Sequence, residues 1–419
     1  MSKKNSIDED EDEIFFGRKN KNEIKNEGIL LDEEKEKEKN LNEDNSEKKE
    51  YLGKKHKMEE KEKENEFVSY KDYYTSGYRD PGKEGRKASR IIFLRSFNNW
   101  VKASMINKYC RRLGKEGVAV LELCCGKGGD LDKYFLNHIK LFVGADISRE
   151  SLANAMTRLQ KIKNEKYNND FRIKCIFIKE DLSSPENRFL EKIDKKYYFD
   201  LVSCQFALHY HFENEKRLNA FLMNVSSRLC EGGYFIGTII EDNVIIKRLR
   251  NRKTIPGNKY IGQKLTFGNE YYSVKFSQKK FNVSDGPYGI KYGFYLEDSI
   301  DNRDEEGKIK YVEEYLVVFK EFVELCKKYD LYLVEKKNFT KFYHEYVEKE
   351  QYKKLSRKML KDVDNVNIKQ QWEIIQLYMI FAFRKGKESN NKTRYSPFLH
   401  KNNIEFNNYE PEFNEGTFD

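Results

Sequence analysis

The 419-residue chain is 38% hydrophobic and 36% charged, with a formal net charge of +9. So high a charged fraction implies that part of the chain packs into no core. The chain has no apolar run of about 18 residues and no leader-like apolar segment near its start, so a soluble protein is expected. The seven cysteines are odd in number, form no CxxC pair and lie mostly in apolar runs, the pattern of reduced, buried thiols.

Residues 1–66 are Lys, Glu, Asp and Asn with few apolar residues, as in "DEEKEKEKN", and are expected to be a solvated, disordered arm. Apolar periodicity begins near 67. Short apolar runs at 118–125, 141–147, 171–178, 199–207 and 234–240 alternate with helical patterns at about 129–137, 150–163 and 214–230. That alternation predicts right-handed βαβ units: an α/β, doubly wound, mostly parallel sheet of about seven strands. Gly232 and Gly233 are expected to stop the helix that begins near 215. Residues 257–300 read as a β-rich insertion, followed by a helix at about 313–328 and a strand near 331–334. The Lys-rich stretch 349–369 reads as an exposed insertion, and 372–383 as one antiparallel strand. The folded domain is expected to end near 385, with 386–419 as a loose, polar tail.

The strongest local signal is "LELCCGKGGD" at 121–130, between a buried strand and a helix. Gly126, Gly128 and Gly129 there permit a tight turn and close approach of a ligand. Asp146 ends the next strand, 20 residues after Gly126, where a carboxylate can accept both hydroxyls of an adenosine ribose. Asp181 ends the third strand, within reach of an adenine. An ordinary glycine-rich turn is one reading of the loop. A nicotinamide-dinucleotide fingerprint is another, but it needs glycine where this chain has Cys124. Loop, Asp146 and Asp181 together favour a class I methyltransferase.

Several segments, in order, resemble the eukaryotic mRNA cap guanine-N7 methyltransferase family. They are "IIFLRSFNNWVKASMI" (91–106), the loop "LELCCGKGGDLDKY", "DLVSCQFALHYHFEN" (200–214), "YGFYLEDSI", the long segment from 313 to 343, and "WEIIQLYMIFAF". The resemblance covers roughly residues 70–385 and implies S-adenosylmethionine as cosubstrate, with no metal. It places cofactor contacts at Lys102, Cys124, Gly126, Asp146, Asp181, Gln205 and Tyr210. Contacts to the cap fall on Asn98, Asn99, Lys127, Lys133, Arg158, His209, Glu314 and Tyr378. The family usually has glycine where Cys124 stands, and a side chain there would project toward the methionyl part of the cofactor.

Guanine N7 carries a lone pair and no proton, so methyl transfer to it needs no general base. Alignment and electrostatics are expected to carry the reaction, Glu314 accepting guanine's N1 and N2 protons and His209 assisting as a binding group. Each of these residues also has a plain structural reading. His209 could be a strand-end histidine satisfied by backbone, and Tyr210 and Tyr378 could be aromatic core. Lys127, Lys133 and Arg158 could be solvated helix faces, although Lys127 and Lys133 flank a helix N-terminus, which favours anions. The expected partner is the capped 5′ end of mRNA, with guanylyltransferase or RNA polymerase II as further partners, since no KxDG motif is present. A nuclear monomer is expected. The alternatives are a class I methyltransferase with another substrate and a non-catalytic cap- or RNA-binding module.

Overall fold

The computed structural model describes residues 66–75, 85, 88–167, 170–253, 255, 257–260, 262–263, 265–277, 286–360 and 368–386, and the backbone of 412–414. The expected arm up to 65 and most of the expected tail lie outside them. The chain divides into two units, Met1–Glu66 with Lys280–Gly286, and Phe67–Lys279 with Pro287–Asp419. Every described helix and strand belongs to the second.

That unit begins with β1 (Phe67–Val68), α1 (Tyr70–Thr75) and the long α2 (Ile92–Arg112). There follow β2 (Ala119–Leu123), α3 (Leu131–Phe135), β3 (Leu141–Asp146), α4 (Arg149–Lys166), β4 (Lys174–Lys179), α5 (Phe189–Lys192) and β5 (Phe199–Gln205). A 3₁₀ segment (Leu208–Glu213) leads into α6 (Glu215–Ser226), β6 (Leu229–Ile240) and α7 (Asp242–Arg250). Next come β7 (Thr266–Gly268), β8 (Tyr272–Phe276), β9 (Lys291–Leu296), β10 (Tyr311–Tyr315), α8 (Phe319–Lys327) and β11 (Leu331–Asn338). The last elements are α9 (Phe339–Tyr346), α10 (Glu350–Met359), α11 (Ile368–Ile375), β12 (Tyr378–Lys385) and β13 (Glu412–Asn414).

Among the described residues the main sheet runs β11-β12-β6-β5-β2-β3-β4-β13. β12 is antiparallel to β11 and β6, and the other pairings are parallel. The α/β, doubly wound expectation therefore holds. Strands β2 and β3 are buried along their whole length, which is why they read as apolar runs rather than alternating ones. α4 and α6 start on side-chain caps, Ser148 accepting from Ser151 N–H and Asn214 from Arg217 N–H. The start of α2 is secured from far along the chain. Gln371 accepts from Leu94 N–H at 2.9 Å and donates to the Arg90 carbonyl at 3.0 Å.

A second sheet, β1-β10-β9-β8-β7, is antiparallel except for the β1–β10 pair. It replaces the expected 257–300 insertion with something larger, because β10 and β1 join it. Here the helix expected at about 313–328 is corrected. Residues 311–315 form a strand, and the helix starts only at Phe319. Apolar residues on both sides of Glu313 and Glu314 imitate a helical stripe, but their real partner is β9.

Four further readings change. Gly232 and Gly233 do not end a helix: α6 stops at Ser226, and both glycines lie in β6, where its pairing with β5 jumps register between Phe199 and Leu201. The antiparallel strand begins at Tyr378 rather than 372, because 368–375 is helical. Part of the 349–369 stretch is the amphipathic α10, with Tyr352 and Ser356 buried. Trp100 of α2 donates to the Tyr352 carbonyl at 3.2 Å, so this stretch helps hold α2. Glu412–Asn414, expected in a loose tail, pair with Ile176–Ile178 as an eighth strand.

Candidate functional site

The carboxyl ends of β2, β3, β4 and β5 open onto a cavity of about 320 Å³, where the strand order reverses and ligands of such sheets bind. Lys102, Cys124, Gly126, Asp146, Asp181, Gln205 and Tyr210 all line it. Its floor is the loop after β2. Cys124, Gly126 and Gly128 have φ of 58°, 50° and 65°, and the Cys125 N–H donates to the Ala145 carbonyl at 3.0 Å, tying the loop to β3. A Cβ on Gly128 would lie 2.8 Å from Leu131 and 3.0 Å from Ala155, so only glycine fits between α3 and α4. Asp146 accepts the Gly126 N–H at 2.8 Å and the Ser148 N–H at 2.9 Å. Burial pushes its carboxyl up, and those backbone donors oppose the shift.

Asp181 sits in a cationic nest. Lys71 of α1 approaches at 3.0 Å and Arg217 of α6 at 3.1 Å, while Ser183 donates from both backbone and hydroxyl. Burial works against its ionisation, but the bond from Lys71, with Arg217, outweighs it and holds the carboxyl down at about 2. Tyr210 is buried, stacked on Tyr70 at 4.6 Å, with its hydroxyl 3.0 Å from that of Tyr74. The short α1 thus covers one side of the cleft. Gln205 donates to Ser203 and accepts from Thr238. The Cys124 thiol lies 3.5 Å from Nε2 of His211. Its hydrogen bond with Cys204 and its burial push that thiol well up, and burial pushes His211 down to about 3.

Beyond Tyr210 lies a second, drier group. The His209 ring meets Tyr210 at 4.0 Å, and its Nε2 is 3.4 Å from Glu314 Oε1, without the alignment of a hydrogen bond. Both ring nitrogens of His209 are buried and lack a hydrogen-bond partner among the described residues. Burial alone drives its pKa to about 3, so the ring is neutral. Glu314 is 1% exposed and faces Tyr292 directly across β9–β10, accepting its hydroxyl at 2.6 Å. Burial pushes the carboxyl up to about 8, and the Tyr292 bond lowers it only in part. Near neutrality, most Glu314 side chains therefore carry a proton.

The mRNA (guanine-N(7))-methyltransferase domain family matches residues 55–386. The chain belongs to the mRNA cap guanine-N7 methyltransferase family. It is 38% identical over 338 residues to mRNA cap guanine-N(7) methyltransferase 1 of Oryza sativa subsp. japonica, covering 77% of this chain and 84% of the relative. The corresponding protein of Arabidopsis thaliana is 37% identical, with 74% and 80% covered. That of Schizosaccharomyces pombe is 35% identical, with 73% and 79% covered.

The cap-contact residues expected of this family fall into three groups. His209 and Glu314 meet each other, and Tyr378 packs its ring against Phe206 at 5.2 Å. Asn98 and Asn99 lie on α2, half-buried, one turn before Lys102, and Asn98 Oδ1 is buried without a hydrogen-bond partner among the described residues. Lys127 lines the cleft, and Arg158 reaches toward Gly129. Lys133 is not on a solvated face: it pairs with Asp130 at 2.7 Å, as Lys102 does at 2.8 Å. Burial opposes the Asp130 charge, yet the two lysines hold its carboxyl well below the usual range. The helix whose N-terminus Lys127 and Lys133 flank spans only Leu131–Phe135, too short for much dipole, so side-chain charge and loop N–H groups are what it offers an anion.

Sequence reasoning missed Tyr70, Lys71, Tyr74, Cys204, His211, Arg217 and Tyr292. The aromatic run "YKDYY" immediately after the charged arm was a usable signal for α1. Nothing local marked the others, which reach the site through sheet register or loop closure.

Proposed function

We propose that the chain transfers the methyl group of S-adenosylmethionine to N7 of the terminal guanosine of capped RNA, by in-line attack without a general base. The cosubstrate supplies an electrophilic methyl on a sulfonium. The N7 lone pair forms the new bond as the carbon–sulfur bond breaks, and positive charge passes to the guanine ring. Asp146 keeps lone pairs for the ribose hydroxyls, and Asp181 and Gln205, which line the same cleft, are assigned to the rest of the adenosine. Lys127, Lys133 and Arg158 are assigned to the triphosphate bridge, Lys133 dividing its charge between the phosphates and Asp130. Asn98 and Asn99 on α2 and Tyr378 on β12 complete the cap side. Holding N7 in line with the methyl and excluding water is worth about 7–11 kcal/mol in well-oriented systems, enough to carry most of the rate enhancement.

The carrying observation is the pair His209 and Glu314: a neutral imidazole with two buried, unpartnered nitrogens beside a buried carboxyl. Unsatisfied buried polar groups cost about 1–3 kcal/mol each, and a guanine edge would satisfy them. Glu314, once ionised by the bound N1 and N2 donors, would also stabilise the cationic ring. We further infer that guanylyl transfer belongs to a separate protein and that the reaction is nuclear.

The test is transfer of labelled methyl to GpppA- or GpppG-terminated RNA, followed by digestion of the product. Label on N7 supports the reading. Label on a ribose oxygen, or none despite cosubstrate binding, refutes it in favour of another substrate or a binding module.

A further inference from the structure

Cys124 at the end of β2, Cys204 in β5 and His211 in the 3₁₀ segment come from three separate stretches of chain. Their Sγ, Sγ and imidazole nitrogen atoms all lie within 4.8 Å of one another. Cys124 Sγ is 3.5 Å from His211 Nε2. A tetrahedral zinc with bonds of about 2.3 Å to sulfur and 2.0–2.1 Å to nitrogen requires donors about 3.6–3.8 Å apart. The cluster is therefore close to ligand geometry before any ion arrives. We propose that Cys124, Cys204 and His211 bind a soft divalent cation of the Zn²⁺ type at the floor of the cleft, and that the cation and S-adenosylmethionine exclude one another.

Three observations support the site. Cys124 holds φ at 58°, a left-handed conformation that strains any residue with a Cβ. The chain keeps a side chain there at a cost that glycine would remove, and such outliers gather where a function needs them. The His211 ring is fixed against Phe221, 3.8 Å apart and 14° from parallel. The ring thus aims Nε2 at Cys124 with little freedom left to lose. Finally, Cys124 and His211 line the same cavity as Asp146 and Gly126, so an ion on them intrudes on the cleft. Three protein ligands leave a fourth position open to it.

The donor set selects the ion. Thiolate and imidazole suit Zn²⁺ and its softer neighbours, whereas Mg²⁺ and Ca²⁺ need oxygen. Binding replaces the two thiol protons with two metal–sulfur bonds and releases those protons to solvent. Cys125 stays outside the cluster: its thiol turns toward the Gly126 carbonyl at 3.8 Å and the position a Gly144 Cβ would take.

The mutual exclusion rests on the methyltransferase reading; the metal site does not. The full chain, reduced and stripped with chelator, is first titrated with S-adenosylmethionine, which must bind if that reading holds. It is then titrated with Zn²⁺ alone by calorimetry, and with Co²⁺ to detect thiolate-to-cobalt charge-transfer absorption. One ion per chain is expected, with the sulfur–cobalt band, in the wild type and in a Cys326→Ala control. Cys124→Gly and His211→Asn should each weaken binding by about 10–100-fold or more, the range for outer-shell changes being the floor. Saturating Zn²⁺ should lower cosubstrate affinity in the wild type but not in Cys124→Gly. Equal Zn²⁺ affinity in wild type and both variants, or no charge-transfer band, would overturn the site. Simultaneous binding of Zn²⁺ and cosubstrate would overturn the exclusion.

Discussion

Glu314 offers the sharpest test of chemistry without a base, because its protonation in the free protein sets a measurable toll on cap binding. Burial raises its carboxyl to about 8. Guanine's N1 and N2 are donors and need an ionised acceptor, so the cap binds the deprotonated form. At pH 7, about one unit below that value, only about a tenth of the side chains are ionised, a cost of about 1 kcal/mol. With saturating S-adenosylmethionine and a cap concentration well below KM, kcat/KM should rise about tenfold from pH 6 to 7. It should gain about another tenfold before levelling above pH 8. His209 cannot produce that limb, since burial holds its pKa near 3. Tyr292→Phe removes a hydrogen bond that favours the carboxylate, so the limb should move to higher pH. Glu314→Gln should abolish the limb and lower kcat by about 10–100-fold, a loss of roughly 1.5–3 kcal/mol for a charge-assisted bond. A flat wild-type profile between pH 6 and 8, or the same limb persisting in Glu314→Gln, would refute the reasoning.

Three other outcomes follow from the same structure. His209→Asn keeps a hydrogen-bonding side chain but cannot act as acid or base; steady-state kinetics should show a raised KM for cap with measurable turnover at saturation, and abolished turnover would contradict a base-free reaction. Asp146→Ala removes the proposed ribose acceptor and frees the Gly126 N–H, so calorimetry should show cosubstrate affinity down about 10–100-fold, corresponding to about 1.5–3 kcal/mol. Gly237→Ala would set a Cβ 2.4 Å from the Cys204 carbonyl and from Phe381; overpacking of this kind costs about 1–3 kcal/mol, so thermal unfolding should show a lowered Tm, and an unchanged Tm would refute close packing of β5 on β6.

The residues that line the cleft floor could be grouped from the sequence because they are local. β2, its glycine loop and Asp146 fall within 30 residues, and buried parallel strands announce themselves as unbroken apolar runs. The guanine half was only named by resemblance, and its secondary structure was misread. Glu314 is a buried carboxyl in a strand, which breaks the alternation that marks strands, and Tyr292 becomes its partner only through sheet register. The convergence of Cys124, Cys204 and His211 was hidden for the same reason: positions 80 and 87 residues from Cys124 meet only when β5 lies beside β2. The alternative reading of Lys133 as a solvated helix face fails because a buried aspartate pairs with it.

The place of β12 has a consequence for how such a chain can be made. Tyr378–Lys385 is the last long strand synthesised, yet it lies between β6 and β11 rather than at a margin. Until it emerges from the ribosome, β6 presents an open row of backbone donors and acceptors along a strand that is mostly apolar. Gln371, which secures the first turn of α2, arrives only a few residues earlier. Between completion of α6 at Ser226 and the arrival of β12, a nascent chain therefore carries the parallel part of its sheet with β6 uncovered, exposed to mispairing. Any product cut short before residue 378 should be insoluble rather than merely inactive.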